Sequence, residues 1–237
     1  MKKTIKTDEH FMEIAINEAI KGGDSVLPNP RVGAVVVSKG EIISKGFHQF
    51  FGGPHAEVYA LEKITKDIKD AVLYVTLEPC SFSGKTAPCT DLISLPMISR
   101  VVIGSLDPNP RVNGSGLKIL KGLGIKTEVG VLEKKAKKIN QQFFTYHEKK
   151  RPYVIIKCAV SLDGYISRAI GDSTIITGKE SKKSVYNLRA RCDGILVGRK
   201  TVQVDNPDLS SHGTGNNPQI VILGNKEKLK SDLKIFS

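Results

Sequence analysis

Four short strand patterns constrain this chain most: the apolar runs "VGAVVV" at 32–37, "AVLYVTL" at 71–77 and "RVVIGS" at 100–105, and the more polar "KTEVGV" at 126–131. Each is strand-length, and helix-like segments at about 55–66, 89–95 and 115–122 separate the later ones, with a further helix expected at about 133–147. Strands alternating with helices imply a mainly parallel sheet covered on both faces. Ahead of them, "DEHFMEIAINEAIKGG" places Phe11, Ile14, Ala15 and Ile20 on one helical face, with Asp8 as its expected cap and Gly22 as its stop. "GEIISKGF" at 40–47 pairs with "VGAVVV" as a hairpin across Ser38 to Gly40.

A boundary falls in "YHEKKRPYVIIK", where a charge run meets Pro152, so the expected domains are 1–150 and 151–237. The second offers strands at 153–160, 193–198 and 218–223 and a helix at 179–190. No apolar run approaches the ~20 residues that cross a bilayer, and no apolar core follows "MKKTIKTDEHFMEI", which predicts a cytoplasmic protein without a membrane partner. The net charge of +12 is spread over both halves, with one dense run, "EKKAKK" at 133–138. Such a field suits a small phosphorylated substrate and RNA alike. Absence of tryptophan and only 6% aromatic residues argue against base stacking and a nucleic-acid partner.

Of the four cysteines, Cys158 and Cys192 lie beside apolar runs and are expected in the core, whereas Cys80 and Cys89 sit in a Pro/Gly-rich loop. With His55 they supply the three His/Cys ligands of a hydrolytic zinc site. "EPCSFSGKTAPC" puts eight residues between the two cysteines, and Pro88 sets Cys89 at a helix start that favours its thiolate. Two thiolates and a neutral imidazole leave zinc without net charge, so a bound water ionises near neutral pH. Glu57 follows His55 in "PHAEVYALEK". In a regular helix the two would point about 200° apart, but at a helix start the glutamate can serve as proton shuttle. H-x-E alone is ordinary helix-start polarity; followed by P-C and a second cysteine, it is the zinc deaminase signature.

The motifs "PNPRVGAVVV", "GFHQFFGGPHAEVYAL", "YVTLEPCSFSGKTAPC", "DPNPRVNGSG", "KCAVSLDGYIS" and "DGILVGRKTVQVDNP" resemble the RibD family of bifunctional deaminase/reductases of riboflavin biosynthesis. The resemblance implies a three-layer α/β/α cytidine-deaminase-like domain followed by part of a dihydrofolate-reductase-like α/β domain. It implies zinc-dependent deamination of 2,5-diamino-6-(5-phosphoribosylamino)pyrimidin-4(3H)-one, a small phosphoribosylated pyrimidine, then NADPH-dependent reduction of the ribose. His55, Cys80 and Cys89 would hold zinc, Glu57 would move protons, and Asn29, His48, Lys85, Asp107 and Asn109 would line the substrate pocket. Nucleic-acid deaminases, such as those acting on tRNA adenosine, usually carry a compact C-x-x-C instead. That alternative, a nucleoside deaminase and a non-catalytic remnant stay as competing readings; so does a homo-oligomeric state.

In the second domain, resemblance assigns Lys157, Ala159, Ile175, Thr201 and Asp205 to the cofactor, and Ser173, Arg189, Leu209 and His212 to the substrate. The chain departs from the family at Phe82, usually histidine, and at Ile175, Lys200 and His212, usually tryptophan, glycine and arginine. The stretch after Arg151 is also under half the length of the family's reductase domain. A chain that deaminates without reducing by itself is therefore expected, with NADPH bound only if the domain is completed.

Overall fold

A computed structural model of the chain describes residues 6–64, 68–82, 87–94 and 97–236. It divides into two compact units, 1–154 and 155–237. In the first, the apolar runs form a five-stranded sheet in the order β2-β1-β3-β4-β5, built from β1 (Gly33–Ser38), β2 (Glu41–Phe47), β3 (Ala71–Val75), β4 (Ile98–Ile103) and β5 (Lys126–Val129). Strands β1, β3 and β4 are largely apolar because both of their faces are covered, whereas the edge strand β5 carries Lys126 and Glu128 and is mostly exposed. Ala34, Val36, Leu73, Val75, Val101 and Ile103 pack in one buried cluster, while their neighbours Val35, Val37, Tyr74 and Val102 pack in the other, the period of two a strand imposes.

Helices α2 (Ala56–Leu61), α3 (Cys89–Ile93) and α4 (Ser115–Gly122) supply the first cluster. Helix α1 (Asp8–Ile20) and α5 (Glu133–Lys138) supply the second, giving the three layers expected. The sheet is mixed rather than mainly parallel. Strand β1 runs antiparallel to β2 and to β3, while β3, β4 and β5 are parallel. The tight β1–β2 hairpin reverses the chain, so β1 alone runs against the other four strands; α2 crosses over from β2 to β3 past β1, and α3 and α4 connect the adjacent parallel pairs β3–β4 and β4–β5.

Two glycines set how closely the layers meet. A Cβ on Gly33 would overlap the carbonyl oxygen of Ala15 in α1, and one on Gly46 would overlap that of Ala56 in α2. Both obstacles are backbone, so each contact requires glycine.

Two helix boundaries differ from expectation. Helix α1 is capped by Thr7, whose side chain accepts from the amide of His10 at 3.4 Å. Asp8 instead takes the Arg100 guanidinium at 3.0 and 2.6 Å and the Tyr74 hydroxyl at 2.6 Å, pinning α1 to the sheet. The single helix expected at 133–147 is split into α5 and α6 (Gln141–Lys149). Asn140 at the break turns its side chain to Arg31: Oδ1 accepts from the Arg31 amide and Nδ2 donates to the Arg31 carbonyl, both at 2.8 Å. The Arg31 side chain donates to the carbonyls of Gly23 and Ile139 and to Asp24. Removing the Asn140 amide strands both Arg31 backbone groups. Asn140→Ala is expected to cost about 1–3 kcal/mol, read as a lowered denaturation midpoint of the first unit at unchanged slope.

The second unit contains α7 (Lys179–Ala190), β6 (Gly194–Gly198), α8 (Arg199–Asp205) and β7 (Gln219–Leu223), with β6 and β7 parallel. The run at 153–160 is not a strand. It has no paired neighbour among the described residues, and Val154 and Ile156 are 64% and 85% exposed, so no ladder holds it in a sheet. Cys158 on that run is correspondingly exposed and Cys192 half-buried, correcting the core positions expected. Among the described residues no helix is long and apolar enough to cross a membrane.

Candidate metal centre

The ends of β3 and β4 and the starts of α2 and α3 meet at one place. His55 stands just before α2 with extended backbone (φ −76°, ψ 166°), so its imidazole escapes the helical arc that would have turned it away from Glu57's side. Glu57 lies in the first turn of α2, 3% exposed. Cys80 follows β3, and Pro88 sets Cys89 as the first residue of α3. The ligand atoms of His55, Cys80 and Cys89 all lie within 4.8 Å of one another. His55 Nδ1 is 3.2 Å from Cys89 Sγ and 3.4 Å from Cys80 Sγ.

Those separations fit zinc. Tetrahedral ligation with Zn–S of about 2.3 Å and Zn–N of about 2.0 Å puts nitrogen and sulfur about 3.5 Å apart. The donor set, one imidazole and two thiols, has zinc's chemistry, and three protein ligands leave a fourth position open. Beside it, Glu57 Oε2 is buried without a hydrogen-bond partner, an acceptor facing a site that can use one.

Charge is distributed unevenly at this centre. The hydrogen bond from Cys89 and the contact with His55 bring the Cys80 thiol down to about 4, whereas the same Cys80 contact, with burial, raises Cys89. One proton thus stays with Cys89 while Cys80 is a thiolate. Its bond to Cys80 also raises His55. Burial raises the Glu57 carboxyl.

A second group of polar side chains borders these four. His48 Nδ1 is 2.9 Å from the Pro54 carbonyl, which can only accept, so Nδ1 bears the proton and Nε2 accepts from Asn29 Nδ2 at 3.3 Å. Burial holds His48 below its ordinary range and hence neutral. This leaves Asn29 Oδ1 as the outward acceptor. The His48 and His55 rings meet edge to face at 5.7 Å. On the turn after β4, Asp107 Oδ1 accepts from the Asn109 amide at 2.8 Å, and Asn109 Oδ1 accepts from the Arg111 amide at 3.1 Å. Burial pushes the Asp107 carboxyl up to about 6. Asp107 also borders a cleft of about 570 Å³ lined by Asn113, Glu133 and Lys137, which none of the three metal-ligating residues nor Glu57 lines. Lys85 lies outside the described residues. Phe82 is 40% exposed.

Sequence reasoning missed Glu78 and Asn140. The signal for Glu78 was present: a carboxylate ending the buried strand in "YVTLEPC" needs partners for both oxygens. Nothing local marks Asn140, whose partner is 109 residues away.

In the second unit the assigned residues divide. Arg189 donates to the Ser210 carbonyl at 3.0 Å, between buried Leu209 and His212, whose ring lies 4.1 Å from that of Tyr186. Thr201 and Asp205 lie on α8, and Lys200 beside them is exposed. Lys157, Ala159, Ser173 and Ile175 are carried by chain without helix or strand, and Ile175 is 78% exposed.

Known proteins share these features. Residues 5–105 match the family model of the cytidine and deoxycytidylate deaminase zinc-binding region, and residues 152–237 match the RibD C-terminal domain. The riboflavin biosynthesis protein RibD of Aquifex aeolicus is 46% identical over 203 residues, 86% of this chain and 57% of that protein. The chain superimposes on Acinetobacter baumannii RibD with a TM-score of 0.86 at 38% identity, covering 98% of this chain and 67% of that one. A diaminohydroxyphosphoribosylaminopyrimidine deaminase/5-amino-6-(5-phosphoribosylamino)uracil reductase from Thermotoga maritima gives 0.84 at 47% identity, covering 97% and 66%. The chain spans more than half but less than two thirds of the length of the curated relatives it matches.

Proposed function

Because the chain belongs to the RibD family of riboflavin biosynthesis proteins, we propose that its first unit deaminates 2,5-diamino-6-(5-phosphoribosylamino)pyrimidin-4(3H)-one by hydrolysis. The observation that carries this reading is the assembly of His55, Cys80 and Cys89 within 4.8 Å, beside a buried Glu57 with an unpartnered oxygen. Zinc held by His55 Nδ1 and the two sulfurs would supply the Lewis acid that makes water nucleophilic near neutral pH.

The protein's own groups do the rest. Water adds to the ring carbon bearing the amino group, the C–N bond breaks, and ammonia leaves. Glu57 takes the proton from the attacking water at its free oxygen and returns it to the departing nitrogen; burial, by raising its proton affinity, suits it to both halves of that transfer. Asn29 Oδ1, oriented through His48, accepts from an N–H of the heterocycle, and the side-chain Nδ2 of Asn109, whose Oδ1 is held by the Arg111 amide, donates to its carbonyl. Asp107 accepts from hydroxyl or amino hydrogens, and Lys85 is suited to the phosphate by its charge. Reduced thiols are required of Cys80 and Cys89, which accords with a cytoplasmic location.

The eight-residue insert between the cysteines and the riboflavin relatives favour this substrate over a nucleic acid. NADPH, which the match to the RibD C-terminal domain implies for the family, would fall to Lys157, Ala159, Ile175, Thr201 and Asp205; of these, Lys157 and Ile175 are exposed on irregular chain, and Thr201 and Asp205 lie on α8. No reductive step follows from that arrangement.

The test is ammonia release from the diaminopyrimidine phosphoriboside by the zinc-loaded chain, compared with tRNA bearing the target adenosine. Release from the pyrimidine alone is expected. Its KM should fall as pH rises through about 6, because Asp107, raised from 3.8, is neutral below that value and accepts fully only above it. Asp107→Asn should flatten that dependence. Ammonia from the tRNA, or none from the pyrimidine, would overturn the assignment.

A further inference from the structure

We propose that Glu78 is the positioning residue that holds the substrate-side turn in register with the metal ligands: its carboxylate, two residues before Cys80, grips the 107–114 turn through the amides of Asp107 and Gly114. Glu78 is 4% exposed. Oε2 accepts from the Asp107 amide at 3.2 Å and the Gly114 amide at 2.9 Å; Oε1 accepts from the Leu117 amide at 3.1 Å. Three donors on two oxygens satisfy a buried carboxylate that would otherwise be costly.

The turn depends on this grip. Gly114, the residue capping α4, has φ +81° and offers no side chain, so Glu78 serves the helix start from another element. The bonds Asp107 and Asn109 make with their own loop shape it without fixing where it stands. Glu78 does that, and its backbone amide bonds Ser105 at 2.9 Å. Contacts on either side reinforce it: a Cβ on Gly116 would overlap the Pro79 carbonyl, and Ser81 Oγ is 2.5 Å from Ser115 Oγ. The 78–81 segment is thus bound along its length to 105–117. Cys80 and Asp107 therefore move as one body, with the reacting ring between the groups they bring.

Glutamine cannot replace the carboxylate. It has one acceptor oxygen, so its amide hydrogens would face at least one backbone N–H. Because Glu57 and the three ligands are untouched, the loss should appear in substrate binding rather than chemistry.

Only the kinetic arm of the test rests on the deaminase reading. Amide hydrogen exchange is measured in the unaltered zinc-loaded chain, in Glu78→Gln and in Glu78→Asp, together with zinc content, KM and kcat. In the unaltered chain the Asp107, Gly114 and Leu117 amides should exchange at least ~100-fold more slowly than unstructured amides. In Glu78→Gln that protection should fall by about tenfold or more and KM rise by about tenfold, with zinc content unchanged and kcat within about threefold. Glu78→Asp, which keeps the charge on a shorter stem, should recover part of the KM. Unprotected amides in the unaltered chain overturn the proposal even if Glu78→Gln does not fold. So does an unchanged KM, or a loss of zinc with a fall in kcat alone. A chain that releases no ammonia would instead sink the deaminase reading, and the exchange data would still decide the role of Glu78.

Discussion

Glu57→Gln is expected to lower ammonia release by roughly 1,000-fold while each chain keeps its zinc, the scale of losing a positioned proton carrier. The substitution keeps the size and shape of the side chain but cannot move a proton between water and leaving nitrogen. It should not weaken the fold. Burial already raises the Glu57 carboxyl, so the charged form is disfavoured there, and a neutral amide is no worse a tenant of that position. Activity lost with zinc content and thermal midpoint retained separates a chemical role from a structural one. Single-turnover rates, metal analysis and thermal unfolding on the same preparation make the comparison; unchanged ammonia release would remove Glu57 from the proton path.

Cys89→Ala should have an equally large effect by another route. Cys89 is fully buried at the first residue of α3 and is one of three ligands, so its loss should weaken zinc binding by at least ~100-fold and bring deamination to background. Metal bound to the native state stabilises it by about 2.7 kcal/mol at a free concentration 100 times Kd. A chelator should therefore lower the unfolding midpoint of the unaltered chain and leave that of Cys89→Ala unmoved. The pH dependence has a definite sign. Cys80 is a thiolate down to about 4, but Cys89 is raised and keeps its proton, so zinc uptake must expel that proton. Affinity should increase by about tenfold per pH unit for each proton released. A variant that holds one zinc per chain with an unchanged chelator response would exclude Cys89 as a ligand.

Local patterns carried much of this architecture. His55, Glu57, Cys80 and Cys89 were legible because each lies at an element end, where proline or a change of hydrophobic period marks the position. The runs that became β1, β3 and β4 were legible because a strand covered on both faces must be largely apolar, and the hairpin was legible from the turn at Ser38 to Gly40. Long-range partners were not. The break at Asn140 follows from Arg31, and the Thr7 cap follows from Asp8 being drawn to Arg100 and Tyr74. The antiparallel entry of β1 is a matter of strand order, which no single strand records. The run at 153–160 has a strand's composition, but a strand exists only beside a neighbour, and composition does not supply one.

Gly46 has a consequence for how the metal centre responds to change elsewhere. The atoms filling its missing side chain belong to the backbone of α2 and cannot be moved by choosing another rotamer. A methyl group there would push the whole helix outward, carrying His55 and Glu57 with it, whereas Cys80 and Cys89 are anchored through β3 and α3. Metal affinity is thereby a caliper for the gap between helix and sheet: a displacement too small to register in the unfolding midpoint would be reported by the ligand that has gone out of reach.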